Sequence, residues 1–290
     1  MSNHRQVFTK KRKIAGLILA VLGAFFFVAA THQKAHPVVI STQESSFKTI
    51  IFDLGDVLFA TNQWQKQKLI ASTLLYNPIL CYHLINFDTK TEYFKFLYSV
   101  PTTGKEIIFY HNEPMPGIMA DWQTGLQSGS EITTKITAHL ETTQHPVAIK
   151  NLFAAIATFM FTPETLAASQ QPIDSMIRMA QAFKSAGYAL YVLSNWDENS
   201  FNIVRANHPE IFNLFDGILV SGQEKMAKPN PEFFQKLLQK YNINPETTIF
   251  IDDEPNNIET ARALGITSIQ CDKPASVTRE LINLGVVKLQ

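Results

Sequence analysis

The sequence predicts an α/β protein: a doubly wound parallel sheet with an inserted α-helical cap domain. Three observations predict it. Short, wholly apolar runs recur along residues 47–290, helical stretches separate them, and the first two runs stand more than a hundred residues apart. Apolar runs of this length suit strands buried on both faces. Strand and helix in alternation argue for a parallel sheet with helices on both sides. A parallel crossover needs only a dozen or so residues, so the long first connection predicts an inserted domain.

Composition agrees with a globular chain. Of 290 residues, 46% are hydrophobic and 17% charged, with 25 basic and 25 acidic side chains. That balance excludes a disordered chain and a polybasic nucleic-acid binder, so no nucleic-acid partner is expected. Two cysteines, Cys81 and Cys271, are too few for a disulfide framework and lack metal-ligand spacing; whether they pair is left open.

The elements follow in chain order. Residues 1–13 hold Arg5, Lys10, Lys11, Arg12 and Lys13 and no acid, and Ile14 to Ala30 is then a 17-residue run without charge. A basic patch before an apolar run is an export signal, so residues 1–31 read as a cleaved signal peptide or a retained membrane anchor. Either reading places the remainder outside the cytoplasm, facing outward from a membrane or secreted. Residues 32–46 are polar and read as a tether. Folding is expected to start at Phe47.

Strands are expected at Thr49–Phe52, Tyr188–Leu193, Gly217–Val220, Thr248–Ile251 and Thr267–Ile269. Helices are expected at Ile173–Ala186, Pro231–Tyr241 and Asn256–Leu264. The core therefore takes residues 47–62 and 165–290. The cap takes 63–164, with helices at Gln63–Leu75, Thr91–Tyr98, Glu131–Thr142 and Val147–Phe161.

Parallel sheets place their chemistry at the C-terminal ends of the strands. Asp53 follows the first strand, Ser194 and Asn195 the second, and Asp252 and Asp253 the fourth. Lys228 stands in a loop after the third. Carboxylates packed together repel unless a cation neutralises them, and hard oxygen ligands favour Mg²⁺. A metal beside Asp53, with Lys228 and Ser194-Asn195 opposite, would cage a phosphoryl group on a small phosphorylated metabolite. Asp53 could then attack as a nucleophile.

These residues carry a family resemblance. Ile-Ile-Phe-Asp53-Leu-Gly-Asp, Val-Leu-Ser194-Asn195-Trp, Lys228-Pro-Asn-Pro and Ile-Phe-Ile-Asp252-Asp253-Glu resemble the four ordered motifs of the haloacid dehalogenase (HAD) superfamily, whose core is Rossmann-like. Phe-Asp-Leu-Gly, Ser-Asn and Ala-Arg-Ala-Leu-Gly at 261–265 are similar to its sugar-phosphate and epoxide-hydrolase-associated phosphatase branch. Trp122 to Gly125, followed by Ser130-Glu131, resembles a cap segment of that branch. The resemblance implies Asp53 as nucleophile, Ser194 and Asn195 as phosphate donors, and Lys228 as a clamp on phosphate and nucleophile. It implies Mg²⁺ held by Asp53, the Gly55 carbonyl and Asp253, with Asp252 in direct contact or one layer behind.

One departure bears on activity. Many phosphatases of the superfamily place an acid two residues after the nucleophile, where this chain has Gly55. A missing general acid typically costs ~10²–10⁴ in rate. Asp56 sits one position late, and His111, Glu113 and Asp121 are polar cap residues that could stand in. Two other readings remain open. A metal-independent 2-haloacid dehalogenase needs no such acid, and a non-catalytic relative could bind phosphate or a partner through the aromatic stretch Tyr93, Phe94, Phe96, Tyr98.

Overall fold

The computed structural model describes residues 38–40, 46–62 and 89–289. The N-terminal segment read as a signal or anchor, the expected helix at Gln63–Leu75 and Cys81 lie outside the described residues. Among the described residues, no single helix is long and apolar enough to cross a membrane.

Five parallel strands form the central sheet: β2 (Thr49–Phe52), β7 (Ala189–Ser194), β8 (Gly217–Val220), β9 (Thr248–Asp252) and β10 (Thr267–Gln270). Their order is β10-β9-β2-β7-β8. Successive side chains of a strand point to opposite faces, and both faces are buried here. Ile50, Phe52, Leu190, Val192 and Ile251 pack with Met176, Phe183, Phe201, Val277 and Leu281. Ile51, Leu193, Leu219 and Phe250 pack on the other side with Phe233, Phe234, Leu237, Ile258 and Ala261. The first group draws on helices α6 (Asp174–Ser185), α7 (Glu198–Asn207) and α10 (Pro274–Asn283), the second on α8 (Pro231–Lys240) and α9 (Pro255–Ala263). Both faces are thus covered by helices, which is the expected doubly wound arrangement.

The insertion leaves and returns through one antiparallel pair, β3 (Phe59–Thr61) with β6 (Gln170–Pro172). Between them lie α1 (Thr89–Ser99), a hairpin of β4 (Phe109–Tyr110) and β5 (Glu113–Pro114), α2 (Gly117–Gln123), α3 (Gly129–Thr142), α4 (Val147–Phe161) and α5 (Pro163–Ser169). A separate core holds them together, with Tyr93, Phe96, Trp122, Ile136, Phe153 and Phe161 among its members. Ser128 caps α3 by accepting from the Glu131 N–H, while the Glu131 side chain accepts from the Ser128 N–H. Both bonds satisfy donors that a helix start leaves unpaired.

Part of the segment read as a tether is structured. Strand β1 (Val38–Ile40) pairs antiparallel with β11 (Val287–Leu289). A run of only three apolar residues among polar ones gives no periodicity to read, and its partner lies at the far end of the chain.

Candidate active site

The strand order explains why distant residues meet. From β2 the chain builds β7 and β8 on one side, then crosses to build β9 and β10 on the other. Such a reversal opens a crevice beyond the C-terminal strand ends. Asp53, just after β2, and Asp252, the last residue of β9, flank that point on neighbouring strands, which run ~4.8 Å apart. The Asp53 N–H donates to the Ile251 carbonyl at 2.9 Å, which carries the sheet pairing to the edge of the crevice.

Carboxylate oxygens of Asp53, Asp252 and Asp253 all lie within 4.8 Å of one another. Lys228, 1% exposed, stands between two of them. Its Nζ is 2.8 Å from Asp53 Oδ1 and 2.6 Å from Asp252 Oδ2. Burial works to lower the Lys228 pKa, but the two carboxylates outweigh it and hold the ammonium above its usual value. The lysine is therefore a fixed positive charge.

The acids are strained electrostatically. Burial, then the charges of Asp53 and Asp252, push the Asp253 carboxyl up to about 8. Burial also pushes Asp252 up to about 6, against the pull of Lys228 and with the repulsion of Asp53. Asp252 is nonetheless well held: its Oδ1 accepts from the Glu254 N–H at 2.8 Å and from Asn257 Nδ2 at 2.9 Å. One lysine against three clustered acids leaves an excess of negative charge, and a divalent cation with oxygen ligands fits that donor set.

Ser194 and Asn195 differ in setting. Ser194 is buried at the end of β7, 1% exposed. Asn195 lines the crevice, and its amide is engaged with the Lys228 backbone. Asn195 Nδ2 donates to the Lys228 carbonyl at 2.8 Å, and the Lys228 N–H donates to Asn195 Oδ1 at 2.8 Å. An amide has two N–H groups, and this clasp uses one of them.

Gly55 leaves space at the missing acid: a Cβ there would meet nothing within 4 Å. Asp56 adopts the left-handed conformation (φ 52°) and lines the cavity. The three polar cap residues divide. Asp121 is 1% exposed and accepts from the Thr103 and Gly104 N–H groups at 2.9 and 2.8 Å, so it ties a cap loop. His111 and Glu113 belong to the hairpin, whose two-residue turn has positive φ at His111 (51°) and Asn112 (62°). Turns of that kind match the twist of paired strands. The Asn112 N–H donates to Glu254 Oε1 at 2.8 Å, and Asn256 Nδ2 donates to Asn112 Oδ1 at 2.9 Å. The tip of the hairpin is thereby docked beside Asp253.

A second dock uses the segment 122–125. Ser221 Oγ donates to the Gln123 carbonyl at 2.6 Å, and Lys225 Nζ donates to the Gly125 carbonyl at 2.8 Å. Gly125 has φ +65°, and a Cβ there would lie 2.4 Å from the Gly222 carbonyl oxygen, so only glycine fits.

Between the docked cap and the strand ends lies one cavity of about 860 Å³, bordered by Asp53, Gly55, Asn195, Lys228 and Asp253. Tyr110 of the hairpin also borders it. Burial, then the Asp56 and Asp253 charges, raise its hydroxyl pKa, so it stays protonated. Glu254, Asn257, Asn112 and Tyr110 were not among the expected site residues. Only the first two had a signal, their place in the stretch that continues from Asp252-Asp253; the hairpin is too short to read. Cys271 is buried, and burial followed by the nearby acids pushes its thiol up to about 12, which makes it inert at neutral pH.

Comparison with known proteins agrees with this geometry. A family model described as haloacid dehalogenase-like hydrolase matches residues 47–265. The chain is 32% identical over 128 residues to the sesquiterpene phosphatase astK of Aspergillus oryzae, covering 44% of this chain and 63% of that one. It is 31% identical over 101 residues to a D-ribitol-5-phosphate phosphatase of Bacteroides thetaiotaomicron, covering 32% of this chain and 48% of the other. The chain thus spans less than two thirds of the length of these relatives. Its fold is shared by the wild-type HAD family enzyme bt-2542 of Bacteroides thetaiotaomicron, solved with magnesium and inorganic phosphate: TM-score 0.50, 19% identity, 77% of this chain and 93% of that one. The matched span holds all four motifs, and on that ground the chain belongs to the haloacid dehalogenase-like hydrolase family.

Proposed function

We propose that this protein is a Mg²⁺-dependent phosphatase that hydrolyses a phosphate monoester through an aspartyl-phosphate on Asp53. The observation that carries the reading is the cluster itself: three carboxylates within 4.8 Å of one another, with one buried lysine paired to two of them. Relatives named as phosphatases support it.

Each residue has a part. Asp53 attacks phosphorus, the phosphorus–oxygen ester bond breaks, and the alcohol departs; water then cleaves the acyl phosphate and frees Asp53. Lys228 pairs with Asp53 and meets charge on the transferring oxygens. Asn195 positions Lys228 and offers its second N–H to the phosphoryl group. Asp53, the Gly55 carbonyl and Asp253 would hold Mg²⁺, with Asp252, already bonded by the protein, behind them. The ion would neutralise the carboxylates and the phosphoryl charge. With no acid at position 55, leaving-group protonation falls to Tyr110 or Asp56 at the cavity wall, neither of them at the usual place of the general acid, so a poor leaving group departs slowly.

Gly55 favours a second reading, a dehalogenase, since displacing halide needs no acid. The excess of carboxylates weighs against it, because that reaction has no use for a cation. Hydrolysis of p-nitrophenyl phosphate with and without Mg²⁺ separates the two, beside an Asp53→Asn control. Metal-dependent turnover lost in the control is the expected result. Chloride release from 2-chloropropionate without metal would replace it with the second reading, and silence in both assays by a folded protein would favour a non-catalytic relative.

A further inference from the structure

The acid cluster occupies only one end of its cavity. Among the described residues, the charged ones that line it come from the core: Asp53, Asp56, Asp197, Lys228, Asp253 and Glu254. Among the described residues, the cap contributes no charged side chain to the wall, and Gln123 is its one amide. A phosphoryl group held by Asp53 and Lys228 would place the rest of its molecule against this described, mostly apolar wall.

Helix α4 shows that this surface is built. Ile149, Phe153, Ala157 and Phe161 face the cap core and are buried. Its other side is also apolar, and there Ala155, Ile156, Phe159 and Met160 line the cavity. Lys150, Asn151 and Thr158 are the polar residues of this helix, so one apolar side meets protein and a second apolar side meets the cavity. Phe94 of α1, Phe109 of the hairpin and Trp122 of α2 complete the wall, with Met115 and Met119 as adaptable fillers. At about 860 Å³, the space suits a ligand of substantial size, since small-molecule sites run ~300–1,000 Å³.

We infer that the substrate is the monophosphate ester of an alcohol with an extended apolar body, the hydrocarbon filling the cap side of the cavity. This rests on the phosphatase reading of the same site. A polyol phosphate of similar length would bury hydroxyls against the apolar face of α4, where the Tyr93 hydroxyl and Gln123 could pair only a few of them, and each one left unpaired is costly.

The test uses the full chain and butyl, octyl and dodecyl phosphate below their micelle concentrations, beside a polyol phosphate. Burying one methylene is worth about fourfold, so kcat/KM should rise by on the order of 10² from butyl to octyl. The polyol phosphate should fall below butyl. An Ala155→Trp variant, which fills the cavity, should lower the octyl-to-butyl ratio at least about tenfold. The same ladder is then read as dissociation constants by calorimetry on the Asp53→Asn protein, without turnover. Turnover with a flat chain-length profile overturns the inference and leaves the phosphatase standing. If nothing is hydrolysed, the phosphatase reading fails, and the binding ladder still decides: fourfold steps support an apolar ligand, and flat constants overturn it.

Discussion

The side-chain amide of Asn195 clasps the backbone of Lys228 at two points, donating to its carbonyl and accepting from its N–H, both at 2.8 Å. The clasp links the loops after β7 and β8 and fixes where the Lys228 ammonium emerges. Asn195 is thus a positioning residue whatever else it donates.

Asn195→Ala should therefore act on geometry. Two lost bonds cost ~1–3 kcal/mol of stability, and a catalytic group misplaced by ~1 Å can cost ~10² in rate. We expect kcat to fall on that order with folding retained. Stopped-time kinetics beside a thermal melt checks both; an unchanged kcat would mean that Lys228 is placed by something else.

Lys228→Ala should cost more than turnover. Lys228 is fully enclosed and pairs with both Asp53 and Asp252. Breaking a buried pair from one side leaves uncompensated charge, at a typical ~3–5 kcal/mol. Adding Asp252→Asn should restore part of the stability and none of the activity. Denaturant unfolding of the two singles and the double closes the cycle; purely additive losses would show that the pair is not coupled.

Metal and pH should trade places at Asp253. Its folded pKa, about 8, lies above the unfolded carboxylate value, ~3.9. In metal-free protein its contribution to stability is therefore fully present below ~4 and is lost as pH rises through about 8. Melts in a chelator should show that decline, and Asp253→Asn should flatten it. Saturating Mg²⁺ should raise the melting temperature of the parent protein at neutral pH and do much less for Asp253→Asn. A Mg²⁺ shift of equal size in both proteins would place the ion elsewhere.

How much of this was legible depended on chain distance and element length. The five sheet strands announced themselves because burial on both faces makes them continuous apolar runs, as at Thr49–Phe52 and Gly217–Val220. Strand ends then pointed to Asp53, Lys228 and Asp252-Asp253, which the fold does bring together. Elements of two or three residues carried no period, so β1, the β3–β6 neck and the hairpin went unread. The clasp of Asn195 on Lys228 was hidden for another reason: an amide after a strand looks the same whether it faces a ligand or a backbone. The apolar side of α4 was legible only as hydrophobicity, since a sequence does not show which face meets protein and which meets a cavity.

Gly55 offers the sharpest experiment, because the structure leaves room for what the sequence omits. A Cβ there touches nothing within 4 Å, and the residue's φ is not in the left-handed range, so an aspartate can be installed without backbone strain. Its carboxyl would stand two residues beyond Asp53, next to the cavity. A positioned acid matters most when the departing oxygen is a poor leaving group, and is worth ~10²–10⁴ there. Gly55→Asp should thus raise kcat on an alkyl phosphate by ~10² or more. It should change p-nitrophenyl phosphate, whose leaving group departs unaided, by less than about threefold. The comparison of the two substrates guards against a trivial effect on folding or metal binding, which would move both alike. If the variant speeds both equally, or neither, then proton delivery is not what Gly55 leaves out, and Tyr110 or Asp56 already supplies it.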